Sequence, residues 1–239
     1  SLTLDGQPVD FTWKANGTLS ATLPALGTGS HQVSLTVSDA CGNLARKSVT
    51  ISGTAATRFA DMQKHWASTY TTPLNDKGII SGVTANGKTN FLPDQKITRG
   101  DFALMTANWL GLDLSRYASV SLPYADAASI PKWDENAVKA LYAEGIMQGS
   151  KAGDGSLRAN AKASITRAEA MTILGRILPQ GYPQASLTGF SDAASVPSWS
   201  KDHVATLVEL KVVGGSNGKL DPNASVTRAE VAKMLFTLW

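Results

Sequence analysis

Apolar and polar residues alternate along the first fifty positions. Val33, Leu35 and Val37 are interleaved with Ser34, Thr36 and Ser38, and Val49 and Ile51 resume the alternation after Cys41-Gly42-Asn43. A period of two marks half-buried strands. Leu2 and Leu4 before Asp5-Gly6, and Phe11 and Trp13 before Asn16-Gly17, predict two more strands with hairpin turns. Leu19, Ala21 and Leu23 predict another. Five short strands without a helical period predict a small antiparallel sandwich over residues 1–53, with Trp13 in its core. A complete sandwich of this kind takes about 100 residues, so a compact variant, or one cut at its start, is expected. No chemistry is visible in this stretch, and a spacer is the expected role.

Beyond residue 58 the period lengthens to that of a helix. Trp133, Ala137 and Leu141 fall at i, i+4 and i+8, as do Trp199, His203 and Leu207, and Trp66, Tyr70 and Leu74. Each set is one face of a helix. Pro131 and Pro197 stand two residues before the Trp, where a first-turn proline is tolerated. Gly78 and Gly145 suit a left-handed cap at the helix end. Lys211 replaces that glycine in the third copy, which is expected to continue to Gly215. A Gly-rich loop follows, with Phe91-Leu92-Pro93-Asp94 or Leu220-Asp221-Pro222-Asn223, and then a second apolar helix. Phe59-Ala60-Asp61, Tyr124-Ala125-Asp126 and Phe190-Ser191-Asp192 open three copies, roughly 61 to 68 residues from one to the next. A period of that length is the mark of a repeat architecture.

The second helix of each copy opens on one motif. Ile165-Thr166-Arg167-Ala168-Glu169 recurs as Val226-Thr227-Arg228-Ala229-Glu230 and, altered, as Ile97-Thr98-Arg99-Gly100-Asp101. Thr followed three residues later by a carboxylate is a capping box: the hydroxyl accepts a first-turn N–H, and Glu reaches back to the Thr N–H. Capping thus accounts for Thr98, Asp101, Thr166, Glu169, Thr227 and Glu230. It does not account for Arg99, Arg167 and Arg228, because a cation near the positive end of the helix dipole is mildly unfavourable. A helix start with free N–H groups is an anion site, and an Arg there adds a fork that matches a carboxylate. These arginines are therefore candidates to grip an acidic group. The alternative is an ion pair with a carboxylate of a neighbouring copy, such as Asp61, Asp126 or Asp192, and such an Asp can also orient the Arg. Gly100 and Asp101 make the first copy's cap the weakest.

These residues resemble the S-layer homology domain, three in tandem being that family's usual complement, over about 180 residues from Arg58 to Trp239. The strands before them resemble immunoglobulin-like or bacterial repeat modules. The resemblance implies a multidomain chain. A small all-β sandwich occupies 1–53, and three repeats at 58–118, 119–184 and 185–239 form a mainly α pseudo-threefold bundle with grooves between neighbours. It implies non-covalent binding of a cell-wall polysaccharide, most often a secondary polymer ending in pyruvylated N-acetylmannosamine, and so a surface anchor in an extracellular cell wall or S-layer of a bacterium. Some members attach instead to modified peptidoglycan, and a scaffold that binds peptide or neighbouring S-layer subunits is the reading from another class. Trp66, Trp133 and Trp199 are core residues first by their place on the apolar face, and faces for sugar C–H groups second. Gly82, Gly149 and Gly215 either bring backbone close to a ligand or allow a positive φ; the resemblance favours the former.

Composition narrows the field further. A net charge of +3 without a Lys/Arg run of five argues against a nucleic-acid footprint. One cysteine, Cys41, excludes an intramolecular disulfide. No apolar run approaches the 18 or so residues that span a bilayer, and no secretory signal stands at Ser1, so a mature or excised fragment is expected. Gly82-Val83-Thr84-Ala85-Asn86-Gly87-Lys88-Thr89 fits the phosphate-loop spacing but lacks the strand before it and the helix after it. Asp154-Gly155 lacks carboxylates at the preceding calcium-ligand positions. His65 and His203 have no partners at metal-ligand spacing. No nucleophile elbow or H-E-x-x-H is present. A binding module without enzyme activity, metal or cofactor is the expectation.

Overall fold

The computed structural model of the 239-residue chain describes residues 1–14, 17–21, 23, 29–53 and 59–239. Asn16 of the expected second turn and Arg58, the expected start of the first repeat, lie outside these. The chain divides into two compact units, Ser1–Thr57 and Arg58–Trp239.

In the first unit β1 (Leu2–Leu4), β2 (Gln7–Pro8), β5 (Gly29–Ser38) and β6 (Leu44–Gly53) form one antiparallel sheet in the order β2-β1-β5-β6. Leu2 stands opposite Leu35 and Leu4 opposite Val33, so the alternation seen in sequence becomes cross-strand apolar pairs. Asp5 and Gly6 turn the first hairpin with φ of 50° and 81°, the positive pair that a tight two-residue turn requires. β3 (Phe11–Trp13) and β4 (Leu19–Ala21) pair with each other apart from that sheet, and Leu23 is not part of β4. Trp13 is not a core residue: it is 58% exposed. A two-stranded ribbon has no second layer of its own to close over a ring.

The second unit is built from six helices, two per repeat. α1 (Ser68–Asp76) and α2 (Arg99–Trp109) belong to the first, α3 (Lys132–Ala143) and α4 (Arg167–Ile177) to the second, α5 (Lys201–Glu209) and α6 (Arg228–Thr237) to the third. Between the helices of the first repeat lies a hairpin, β7 (Val83–Ala85) and β8 (Lys88–Asn90); the second has β9 (Ser150–Lys151) and β10 (Leu157–Arg158). Asn86 and Gly87 turn β7 into β8 with φ of 51° and 72°. The phosphate-loop spacing is therefore a β-hairpin, and no helix starts directly after it, α2 beginning only at Arg99.

Packing runs between repeats. α2 lies on α3, α4 on α5, and α6 back on α1, so each second helix covers the first helix of the next repeat and the third closes on the first. One continuous core fills the unit, with Phe59, Phe91, Phe102, Leu141, Met171 and Leu207 fully enclosed. At its centre three backbone hydrogen bonds close a ring. Ile97 N–H donates to Val226 O, Val226 N–H to Ile165 O, and Ile165 N–H to Ile97 O, each at 3.1 Å. All three side chains are buried.

Gly78 and Gly145 take the expected left-handed caps, both at φ 71°. The third copy differs from the expectation: α5 stops at Glu209, and Lys211 itself adopts φ 58°. The Val212 and Val213 amides must turn back onto Leu207 O, as Ile146 and Met147 do onto Leu141 O, and this register outweighs the cost of a left-handed non-glycine residue. Lys211→Gly is expected to raise unfolding stability by about 1 kcal/mol, read as a shifted urea midpoint at unchanged slope.

Candidate functional site

The N–H groups at the motif helices are not free. Arg99, Arg167 and Arg228 donate their backbone N–H to Ala163, Ala224 and Gln95 O at 2.9–3.0 Å. Gly100, Ala168 and Ala229 donate theirs to Ala161, Pro222 and Pro93 O at 2.9 Å. The next N–H in each helix goes to the Thr hydroxyl, at 3.0 to 3.3 Å. Every acceptor in the first two sets lies in the loop of the neighbouring repeat. The expected anion site of bare helix amides is thus occupied by the protein's own backbone, because the repeats use those donors to join.

The arginine forks are committed in the same direction. Arg99 Nε donates to Ala159 O, Arg167 Nε to Leu220 O and Arg228 Nε to Phe91 O, at 2.8–2.9 Å. Arg99 Nη1 lies 2.7 Å from Glu169 Oε1, and Arg167 Nη1 lies 2.8 Å from Glu230 Oε1. The second is an aligned hydrogen bond, whereas the first is an ion pair without that alignment. Each Glu therefore serves twice: Oε2 accepts the Thr N–H of its own cap at 2.8–2.9 Å, while Oε1 holds the preceding repeat's Arg. This second task is invisible in a one-helix pattern, which marks these residues as helix caps alone.

Asp61, Asp126 and Asp192 do not pair with the arginines. Their two oxygens accept adjacent backbone N–H groups of their own repeat: Phe91 and Leu92, Ala159 and Asn160, Leu220 and Asp221, all at 2.7–2.9 Å. The second residue of each pair is left-handed, with φ of 58°, 50° and 51°. The first residue carries the carbonyl that takes the Arg Nε. Each Asp thus fixes the peptide on which a neighbour's arginine rests, orienting the Arg through the loop rather than by contact.

The glycines serve close packing. A Cβ on Gly82 would meet Asn90 O at 2.5 Å, on Gly149 the Tyr124 ring at 2.6 Å, and on Gly215 Lys219 O at 2.5 Å. Gly149 and Gly215 also need φ of 73° and 70°.

Trp66, Trp133 and Trp199 are not core residues. They are 53%, 69% and 56% exposed, while the residue after each one, Ala67, Asp134 or Ser200, is buried. At the helix start that next side chain takes the inward position against the preceding repeat, so the apolar face read along the helix ends one turn early. Two of the released indoles, Trp199 and Trp66, border cavities. One of about 280 Å³ is walled by Arg99, Gly149, Glu169, Arg176 and Trp199. Another of about 230 Å³ is walled by Arg167, Gly215, Glu230, Lys233 and Trp66. In both, an Arg comes from one repeat, Gly and Glu from the next and Trp from the one after. Arg176, Lys96 and Lys233 were missed in sequence because nothing in the motif marks them.

Around Arg228 the composition changes. Asp101 is a methylene shorter than Glu and accepts from Thr98 Oγ1 at 2.8 Å. Among the described residues no carboxylate reaches ion-pair distance of Arg228, which instead donates Nη2 to Ser81 O at 2.9 Å and lies 4.7 Å over the Phe91 ring. The degenerate box therefore faces Arg228, not Arg99. Next to it Asp134 is 1% exposed, with neither oxygen hydrogen-bonded. Burial, and then Asp101, push its pKa up to about 7. It fits only because Gly100 has no side chain: a Cβ there would overlap Asp134 Oδ2.

His65 stands 3.4 Å from Asp94 Oδ1, and His203 packs against Gly175. Asp154 caps its own turn through Ser156 and pairs with Arg158 at 2.9 Å. Among the described residues no group of three or more His, Cys, Asp or Glu is placed to hold a metal, and no helix is long and apolar enough to cross a membrane.

The three repeats in sequence have a counterpart in known proteins. The model of the S-layer homology domain matches residues 58–103, 123–171 and 189–232, more than half of the chain. The chain belongs to the S-layer homology domain family. An amylopullulanase of Thermoanaerobacterium thermosulfurigenes is 31% identical over 186 residues, which is 75% of this chain and 9% of the relative. The exoglucanase XynX of Acetivibrio thermocellus is 29% identical over 75% of this chain and 16% of its own length. The S-layer protein sap of Bacillus anthracis is 27% identical over 72% of this chain and 20% of its own length. The chain thus spans about a fifth or less of these relatives. S-layer homology repeats are anchoring modules, and their place is the cell wall at the bacterial surface.

Two outcomes test the geometry between the first two repeats. Asp134 has a folded pKa above its unfolded value of about 3.9, so the folded chain holds the extra proton between about pH 4 and 7 and loses stability as pH rises through that window. Asp134→Ser is expected to remove that decline and to gain about 2–4 kcal/mol above pH 7, measured by urea unfolding at several pH values. Gly100→Ala alone is expected to cost about 1–3 kcal/mol through the Asp134 clash. In the Asp134→Ser background, which copies the Ala168 and Ser200 found one repeat later, the loss disappears.

Proposed function

We propose that the three S-layer homology repeats hold their protein at the wall by binding an acidic polysaccharide, a pyruvylated N-acetylmannosamine polymer in the first instance, in the cavities between repeats. The observation that carries this is the matched make-up of two cavities, each with an exposed indole, an arginine and a glycine-lined wall drawn from three different repeats. An exposed indole beside a hollow offers a flat apolar face for sugar C–H groups. Arg99 and Arg167, each paired with a glutamate, wall the hollows, Gly149 and Gly215 shape them, and Asp126 and Asp192 hold the loops behind them, as Asp61 does at the third joint. By position in the repeats, Arg228, Gly82 and Trp133 are the corresponding residues of the third joint.

The cyclic packing of the six helices supports reading the repeats as a pseudo-threefold bundle, and the paired strands of the first unit support reading it as a compact spacer of the immunoglobulin-like kind. In this reading the anchor carries no catalysis of its own; whatever the full protein does lies outside it. Two occupied cavities on one polymer add avidity beyond either alone.

Co-sedimentation with isolated wall sacculi tests the proposal. Binding is expected to vanish after the secondary polymer is extracted, and to weaken about tenfold when Trp66→Ala and Trp199→Ala are combined. Undiminished binding to stripped sacculi would instead support a peptidoglycan ligand.

A further inference from the structure

The cavity beside Arg99 contains a cation that the repeated motif does not supply. Arg176 lies near the end of α4, where the other two second helices carry Asn108 and Thr237. It is half-buried, and burial lowers its pKa. Among the described residues no carboxylate lies within ion-pair distance of it. Its Nη1 donates to Ile146 O at 3.1 Å, repeating the weaker tie of Asn108 Nδ2 to Ile79 O at 3.5 Å. The side chain reaches the wall of the cavity that also holds Glu169, Gly149 and Trp199.

Arg99 is poorly placed to take an acid there. Its side chain is 6% exposed, Nε is bonded to Ala159 O, and Nη1 is matched by Glu169. An incoming carboxylate would have to displace Glu169 or lie beside it as a like charge. Arg176 carries the same planar fork with no such competitor, so its charge is the one left to be neutralised. The two other joints differ. The cavity beside Arg167 has Lys96 and Lys233, both exposed, and the surroundings of Arg228 hold Asp101 and Asp61.

We propose that Arg176 receives the acid group of a sugar residue stacked near Trp199, and that it makes the Arg99 cavity selective for acidic over neutral sugars. This rests on the reading that the cavities bind wall glycan. At about 280 Å³ the cavity stands at the low end of small-molecule sites, a size suited to one sugar ring rather than a chain.

The test titrates the whole chain calorimetrically with a pyruvylated N-acetylmannosamine glycoside and with its unpyruvylated counterpart. The original chain is expected to prefer the acidic sugar by about tenfold or more. Arg176→Asn, which can keep the tie to Ile146 O as Asn108 does to Ile79 O, is expected to lose that preference with an unchanged melting temperature. Arg176→Lys is expected to keep part of it, and serves if the Asn variant folds poorly. Preference retained in Arg176→Asn overturns the inference and leaves the glycan reading standing, as does equal binding of both sugars by the original chain. No binding of either sugar by a chain that still sediments with polymer-bearing sacculi also overturns it. Failure to sediment removes the glycan reading and the inference together.

Discussion

The repeat unit depends on where its helix starts spend their hydrogen bonds. An α-helix leaves its first N–H groups without internal partners. Here two from each motif helix go to the next repeat's loop and one to the capping Thr. The same loop carbonyls that follow the Asp clamps take the arginine Nε. Each repeat is therefore incomplete until its neighbour is present, and the third repeat completes the first. The central ring of Ile97, Ile165 and Val226 amides is the innermost turn of that arrangement.

This explains why an arginine is kept where the helix dipole disfavours it. The penalty of a cation near a helix start is a few tenths of a kcal/mol to about 1. Against it stand a charge-assisted hydrogen bond to a fixed carbonyl and, twice, an ion pair with the next repeat's Glu. Such bonds contribute about 1.5–3 kcal/mol where a charged group is involved. The motif is a joint before it is a binding site.

Joining the repeats also makes the cavities. The inward place at each first-helix start goes to Ala67, Asp134 or Ser200, and the preceding Trp is left outside, Trp66 and Trp199 beside cavities at the joints. The three joints are not equivalent, because single substitutions change their ion pairing or their charge. Asp101 for Glu leaves Arg228 without an ion pair, Asp134 adds a buried acid against Gly100, and Arg176 adds a cation to one cavity alone. A family-level motif describes the joint; these unrepeated residues distinguish one groove from another.

The sequence by itself determined the local structure. Period-two and period-3.6 patterning marked strands and helices, the Thr-x-x-Glu spacing marked two helix starts, and paired positive-φ residues such as Asp5-Gly6 marked a turn, because each of these is decided within a few residues. The triplication of the motif, visible along the chain, located the residues that matter. Only the tertiary structure decided what those residues touch. That the amides are occupied, that Glu169 and Glu230 face arginines, that the Asp residues clamp backbone and that the three Trp rings stand outside all follow from packing one repeat on another. Contacts between residues some sixty positions apart leave no periodic trace in either partner's own segment, and a helix face read from spacing cannot tell where the neighbouring helix stops covering it.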